Sequence, residues 1–264
     1  GDPKNFPWTM GWQPNYQSES KVFAAHILET KPNAKIAILY QNDDLGRDFV
    51  AGAKDVLGAQ YDAVVKAVSF EVTDATVDSQ LIQLQSWGAD VLISGVTGKF
   101  GAMSIRKVSE LGWKPMHFIT SGVSSVSSTI KPAGEDRSMG VITSVYMKDV
   151  TDAAWDNDAG VKGYKAFMAK YVADGNPNEF YNAYGYLTAM VMQQVLEQCK
   201  GDFSRKSILA QANNLKDVEN PLLLPGIKVN TSPTDHRPLE QMQLQRWDGK
   251  HWERFGSVIQ GAAV

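Results

Sequence analysis

The chain predicts an α/β fold built on a doubly wound, largely parallel sheet, and three observations carry that expectation. Short apolar runs with β-branched members alternate with helical patterns. The alternation repeats about every 25 to 30 residues, the length of a βα unit. Each run ends in a polar turn that opens the next helix, as buried parallel strands do. Such sheets take ligands outside the carboxyl ends of their strands, so the turns after the strands are where function is expected.

The clearest unit is Lys35 to Val50. Ile36 to Tyr40 reads as a strand buried on both faces, and Gln41 to Asp44 supply turn chemistry and a helix cap. Phe49, Ala53, Val56 and Leu57 follow at helical spacing, and Gly58 stands where a helix C-cap belongs. Upstream, Ser20 to Leu28 reads as a helix. Downstream come a strand over Ala63 to Phe70, a helix over Asp78 to Trp87 and a strand over Asp90 to Gly95. A helix over Gly101 to Leu111 and a strand over Met116 to Ser121 complete the series.

Past Ser121 the pattern changes. Gly122 to Ser128 is a Ser-rich loop, Gly140 to Tyr146 a fifth strand, and Lys148 to Asp158 a polar, acidic connection. Helices follow over Val161 to Val172, Asn182 to Cys199 and Ser204 to Asn214, the last capped by Ser204. Pro221 to Val229 is an irregular strand or loop. Met242 to Trp247 alternates, Asp248-Gly249 is a hairpin turn, and Trp252 to Val258 returns. The helices between 161 and 214 thus form a block without a sheet to cover.

At 264 residues two lobes are the reasonable expectation. No apolar run approaches the roughly 18 residues that a membrane helix needs. Twenty-six basic residues against 29 acidic ones give a net charge of −3, with no Lys/Arg cluster, so nucleic acid is not an expected partner. Cys199 is the only cysteine, which excludes an intrachain disulfide and a thiolate cluster. Gly1, Asp2 and Pro3 begin in loop-like sequence with no secretory signal.

The search for chemistry returns negatives. Neither a phosphate loop nor a dinucleotide turn is present, and Ser121-Gly122 lacks the flanks of a nucleophile elbow. His26, His117, His236 and His251 are scattered without metal-ligand spacing, so neither a metal nor a cofactor is expected. Asp43-Asp44 is read as helix capping because no second acidic residue follows the neighbouring strand. An α/β hydrolase or phosphoryl-transfer domain using Asp43, Asp44 or Ser121 needs a base nearby, and only His117 is close to a strand-end turn.

Trp8-Thr9-Met10-Gly11-Trp12, Lys35 to Gly46, Gly88-Ala89-Asp90, Leu111-Gly112-Trp113-Lys114-Pro115 and Pro225-Gly226-Ile227 carry a resemblance. In this order, over nearly the whole chain, they resemble the leucine/isoleucine/valine-binding branch of the periplasmic solute-binding proteins that serve ABC importers. The resemblance implies the type I fold: two doubly wound lobes, one of them incomplete here, crossed three times by the chain. It places 17–146 with 243–264 in the C-terminal lobe and 1–16 with 147–242 in the remainder of the N-terminal lobe. Pro14, Tyr146, Met147, Met242 and Gln243 would form the hinge.

The opening part of the N-terminal lobe of this family has no counterpart here, which accounts for the helices without a sheet. Self-association is expected through the apolar faces of Tyr184, Leu187, Met190, Val191 and Val195. The resemblance further implies a small-molecule solute, a membrane permease as partner, a periplasmic or membrane-tethered location, and no catalysis. A ligand-sensing receptor domain of the same fold is the alternative.

The ligand-binding positions implied are Gln13, Tyr16, Leu45, Thr97, Ser121 and Gly122. Trp8, Trp12, Tyr16 and Tyr146 would supply aromatic walls. Amino-acid binders of the family usually carry an aromatic residue where Leu45 stands and a carboxylate near Ser121 that offsets the ligand ammonium. An uncompensated buried charge costs about 3 to 5 kcal/mol. The expected solute is therefore a carboxylate or amide-like molecule, aromatic or related to branched-chain amino acids, without a free α-amino group.

Overall fold

A computed structural model describes residues 2–261; the extreme ends of the two expected lobes, Gly1 and 262–264, lie outside the described residues. The chain divides into two compact units, one of residues 1–15 and 146–241, the other of 16–145 and 242–264. Each of these boundaries falls one residue before the crossing expected from sequence.

The second unit is built on a seven-stranded sheet. In chain order its elements are α1 (Tyr16–Thr30), β1 (Ile36–Gln41), α2 (Asp44–Leu57), α3 (Tyr61–Val64), β2 (Val65–Phe70) and α4 (Asp78–Ser86). Then come β3 (Val91–Gly95), α5 (Lys99–Glu110), β4 (Met116–Ile119), α6 (Lys131–Ala133), β5 (Ile142–Val145), β6 (Gln241–Trp247) and β7 (Trp252–Gln260). The first residue of β6, Gln241, belongs to the other unit.

The strand order is β2-β1-β3-β4-β5-β6-β7. The pairs among β1 to β5 are parallel and β5–β6 is antiparallel. The order reverses between β1 and β3, which is where a doubly wound sheet opens a crevice at its carboxyl edge.

Alternation along the strands sorts the core into two layers. Ile36, Ile38, Val91, Ile93 and Phe118 pack with Phe23 and Phe49 on one face. Ala37, Leu39, Leu92 and Ile119 pack with Leu81, Phe100 and Trp247 on the other. Helices α1 and α2 approach so closely that a Cβ on Gly52 would lie 2.2 Å from the Gln17 carbonyl oxygen. Only glycine permits that contact.

Asp43 caps α2 by accepting from the Gly46 N–H at 3.2 Å. The Asp248-Gly249 turn closes the β6–β7 hairpin: Asp248 accepts from the N–H groups of Lys250 and His251, and Gly249 adopts φ of 101°.

Three readings change. The strand expected from Ala63 begins at Val65, because residues 61–64 close one helical turn that buries Tyr61. The Ser-rich segment is not plain loop: residues 121–123 form a 3₁₀ turn and residues 126–130 a π-turn, with Ser125 accepting from the Ser128 N–H. The fifth strand is shorter than Gly140 to Tyr146, since Tyr146 and Met147 leave the sheet and bond to the 222–224 segment.

The other unit contains α7 (Ala159–Tyr171), α8 (Phe180–Gln198) and α9 (Arg205–Ala212). Among its described residues, apart from Gln241, extended pairing is limited to isolated bridges such as Val218 with Val229. The apolar face expected to be open on α8 is partly covered. Leu187, Val191 and Val195 are buried, because α9 and the Asn220 region pack onto α8 and the Asn220 side chain donates to the Leu187 carbonyl. The exposed apolar side chains of this unit include Trp8, Tyr171, Tyr181, Met192 and Phe203.

Candidate functional site

The turns at the carboxyl ends of β1, β3 and β4 join into one continuous hydrogen-bonded rim. At the β1/β3 reversal the buried Gln41 side chain accepts from the Thr97 hydroxyl at 2.8 Å and donates to the Asp43 carboxylate. One step along, the Thr120 hydroxyl donates to the Val96 carbonyl at 2.9 Å, tying the β4 turn to the β3 turn. Beyond it the Ser121 N–H donates to Glu19 Oε1 at 2.8 Å, and the Ser144 hydroxyl donates to the same oxygen at 2.6 Å. Glu19 therefore connects α1, the β4 turn and the end of β5.

Of the positions expected from sequence, Thr97, Ser121, Gly122 and Tyr16 come together on this rim. A Cβ on Gly122 would lie 3.8 Å from the Thr120 hydroxyl and 3.9 Å from that of Tyr16, so the turn lies close to both. Tyr16 is half-buried, with its ring 5.8 Å from that of Phe49. Leu45 is half-buried in the first turn of α2 and packs against the core layer that contains Phe49.

Gln13 and Pro14 belong to the helical unit. There Tyr146 and Met147 are buried: the Tyr146 carbonyl accepts from the Leu224 N–H at 3.0 Å, and Met147 bridges Leu223. In the sheet unit Met242 is buried in the core, while Gln243 pairs with Val145 and donates to the Gly256 carbonyl. Trp8 and Trp12 line an apolar groove of about 600 Å³ in the helical unit, with Val191, Val195, Ile208 and Leu215.

Two rim residues escape the sequence reading. In sequence Gln41 reads as turn chemistry only, yet as a buried amide it links its own turn, through Asp43, to the β3 turn, through Thr97. Glu19 overturns the expectation that no anion stands near Ser121. Its position was detectable: with Phe23 and Ile27 it forms an i, i+4, i+8 stripe along α1, the buried face of that helix. Glu19 is 1% exposed, and burial pushes its carboxyl up to about 7 against the hydrogen bonds from Ser144 and Ser121.

The rim is composed of an amide, hydroxyls and backbone N–H groups. His117, the histidine nearest a strand end in sequence, pairs with the Ser94 hydroxyl at 2.9 Å inside the sheet. Ser94 is wholly buried, and burial holds His117 neutral by pushing it down to about 3. Among the described residues no cluster of His, Cys, Asp or Glu has the makings of a metal site, and no helix is long and apolar enough to cross a membrane.

The fold has many solved counterparts. The branched-chain amino acid ABC transporter structure from Thermus thermophilus with bound valine superposes with a TM-score of 0.78 at 16% identity, over 94% of this chain and 66% of that one. A possible leucine/isoleucine/valine-binding protein from Rhodopirellula baltica SH 1 gives a TM-score of 0.79 at 18% identity, with the same coverages.

In sequence, the Leu/Ile/Val-binding protein homolog 7 of Brucella abortus (strain 2308) is 24% identical over 234 residues, 87% of this chain and 57% of that protein. Homolog 8 of the same strain is 24% identical over 220 residues, covering 82% and 53%. The chain thus spans a little over half the length of these curated relatives. The family described as periplasmic binding protein matches residues 1–251. With its pattern matched along almost the whole chain and its sheet matched in space, this protein belongs to the periplasmic binding protein family, with the type I fold.

Proposed function

We propose that this chain is part of the extracytoplasmic solute-binding component of an ABC importer. It acts by binding rather than by catalysis, and it delivers a small solute to a membrane permease. The observation that supports this reading is the continuous rim from Gln41 through Thr97 to Ser121, at the carboxyl edge where a doubly wound sheet holds its ligand. On this reading 17–146 with 243–264 is the C-terminal lobe and 1–16 with 147–242 the remainder of the N-terminal lobe. Pro14, Tyr146, Met147, Met242 and Gln243 lie at the crossings, and Gln13, Tyr16, Leu45, Thr97, Ser121 and Gly122 serve the solute. Transport then follows from a ligand-biased equilibrium between open and closed forms.

The solute is a small carboxylate or amide-like molecule, or a relative of the branched-chain amino acids. Glu19 places a carboxyl near Ser121, but one enclosed by protein rather than open to a solute ammonium. Isothermal titration of the natively purified protein with L-leucine, L-valine, benzoate and benzamide tests the reading. Binding of at least one, weakened about tenfold by Thr97→Val through loss of one hydrogen bond, is expected. Binding of none, or turnover of a screened ester that Ser121→Ala abolishes, overturns it.

A further inference from the structure

Three segments of backbone converge on the buried side chain of Glu19. It lies in the first turn of α1, and its Oε1 takes the Ser121 N–H after β4 and the Ser144 hydroxyl of β5. Its Oε2, enclosed by protein, has no hydrogen-bond partner. The sheet unit begins at Tyr16, three residues before Glu19, and its first segment ends at Val145, one residue after Ser144. Glu19 thus ties the Ser121–Gly122 turn to two of the three places where the chain crosses the boundary of this unit.

We propose that Glu19 is the positioning residue of the Ser121–Gly122 turn: its ionised carboxyl holds the Ser121 N–H inward, and a proton taken up on that carboxyl loosens the turn. The inference rests on reading the turn as part of the solute site. An ionised oxygen accepts a hydrogen bond roughly twice as strongly as a neutral one, so protonation weakens both bonds together. An orphaned oxygen in a dry pocket is also costlier when charged, which favours the proton. Burial accordingly pushes Glu19 up to about 7, with only Ser144 and Ser121 opposing and no charged side chain contributing.

The titratable groups on α1 and β4 nearest in the chain to Glu19 and Ser121 are otherwise engaged. Lys21 of α1 pairs with Asp55 of α2 at 3.6 Å, His26 of α1 is lowered chiefly by its own burial, and His117 of β4 is held neutral against Ser94.

The test follows the ¹⁵N–¹H resonances of Ser121 and Gly122 in the 264-residue chain between pH 5.5 and 8.5. Wild type is expected to show both amides moving together with a midpoint near 7, and Glu19→Gln to show neither. Ser144→Ala removes a bond that favours the charged form and should raise the midpoint. It also serves if Glu19→Gln does not fold. A flat wild-type profile, a titration retained in Glu19→Gln, or an unmoved midpoint in Ser144→Ala overturns the proposal.

Fluorescence titration with L-leucine and benzoate at pH 6 and 8 adds the solute arm. A several-fold change in affinity between the two pH values is expected in wild type and its loss in Glu19→Gln; equal pH dependence in both overturns it. If neither probe binds wild type, it is the solute reading that fails, and the amide titration still decides the role of Glu19.

Discussion

The sheet unit and the helical unit bury apolar side chains by different means. In the first, each strand offers a residue to either face in turn, and helices lie on both faces, so Ile36, Leu39, Phe49 and Leu81 all fall at 2% exposure or below. In the second, α7 and α8 bury one stripe each while α9 encloses none of its side chains: Tyr164 of α7 and Leu187 of α8 are fully buried, whereas Tyr171 of α7 stays more than 60% exposed. The difference teaches that a helix covers only what it packs on, and that a sheet is what lets two layers of helices share one core. It also divides the chemistry. Strand ends hold polar turns in fixed places, whereas the helical unit offers an apolar groove.

Acid should break the comparison most sharply. His117 sits neutral inside the sheet, pushed down to about 3, so its contribution is fully present above its unfolded value and is lost as pH falls from there toward 3. Relative to His117→Gln, wild type is expected to lose about 4 kcal/mol over that range, read by hydrogen exchange at β3 and β4 amides. Helical-unit amides should change far less there, since Asp158 and Asp235 are held below the usual carboxylate range and their contributions begin to be lost only as pH falls below about 3.8, at the acid end of that window.

Glu19 carries the opposite sign. Its folded value lies above its unfolded one, so its stabilisation is complete below about pH 4.5 and disappears as pH rises through about 7. The stability of wild type relative to Glu19→Gln should fall by about 3 kcal/mol across that window in denaturant titrations.

Matched glycine substitutions sharpen the comparison further. Gly52→Ala drives a methyl group into the Gln17 backbone between two helices fixed on the sheet, and a loss of about 3 kcal/mol is expected. Gly160→Ala meets the Pro221 carbonyl at 2.4 Å, but Pro221 lies on a connecting segment that can yield, so about 1 to 2 kcal/mol is expected. Thermal melts of the two variants check this, and a larger loss at Gly160 would reverse the ranking of the units.

The smallest effect belongs to Lys148. Its ammonium meets Asp158 and the Pro221 carbonyl at 2.7 and 2.8 Å, and Lys148→Ala should cost the helical unit about 1 kcal/mol by chemical denaturation. The sheet unit's exchange pattern should be unmoved.

The order of strands and helices was legible because burial on both faces writes itself as apolar runs, and turns write themselves as Gly, Asp and Ser. Asp43, Ser204 and Asp248-Gly249 perform the capping and turning their residue types announce. Thr97 and Ser121 were legible as strand-end residues for the same reason. Gln41 was not, because whether a terminal amide faces water or a neighbouring turn depends on which strand lies beside it. The burial of Leu187 and Val195 was missed because the pattern shows that a stripe is apolar, not which segment covers it.

The sequence by itself determined the α/β class and the succession of strand and helix. Local periodicity and turn chemistry are properties of neighbours in the chain. Tertiary structure alone decided that β3 lies beside β1, that Thr97 meets Gln41, and that Glu19 meets Ser121 and Ser144 across more than a hundred residues. A carboxyl's charge is set by what surrounds it in space, and packing brings those surroundings from distant parts of the chain.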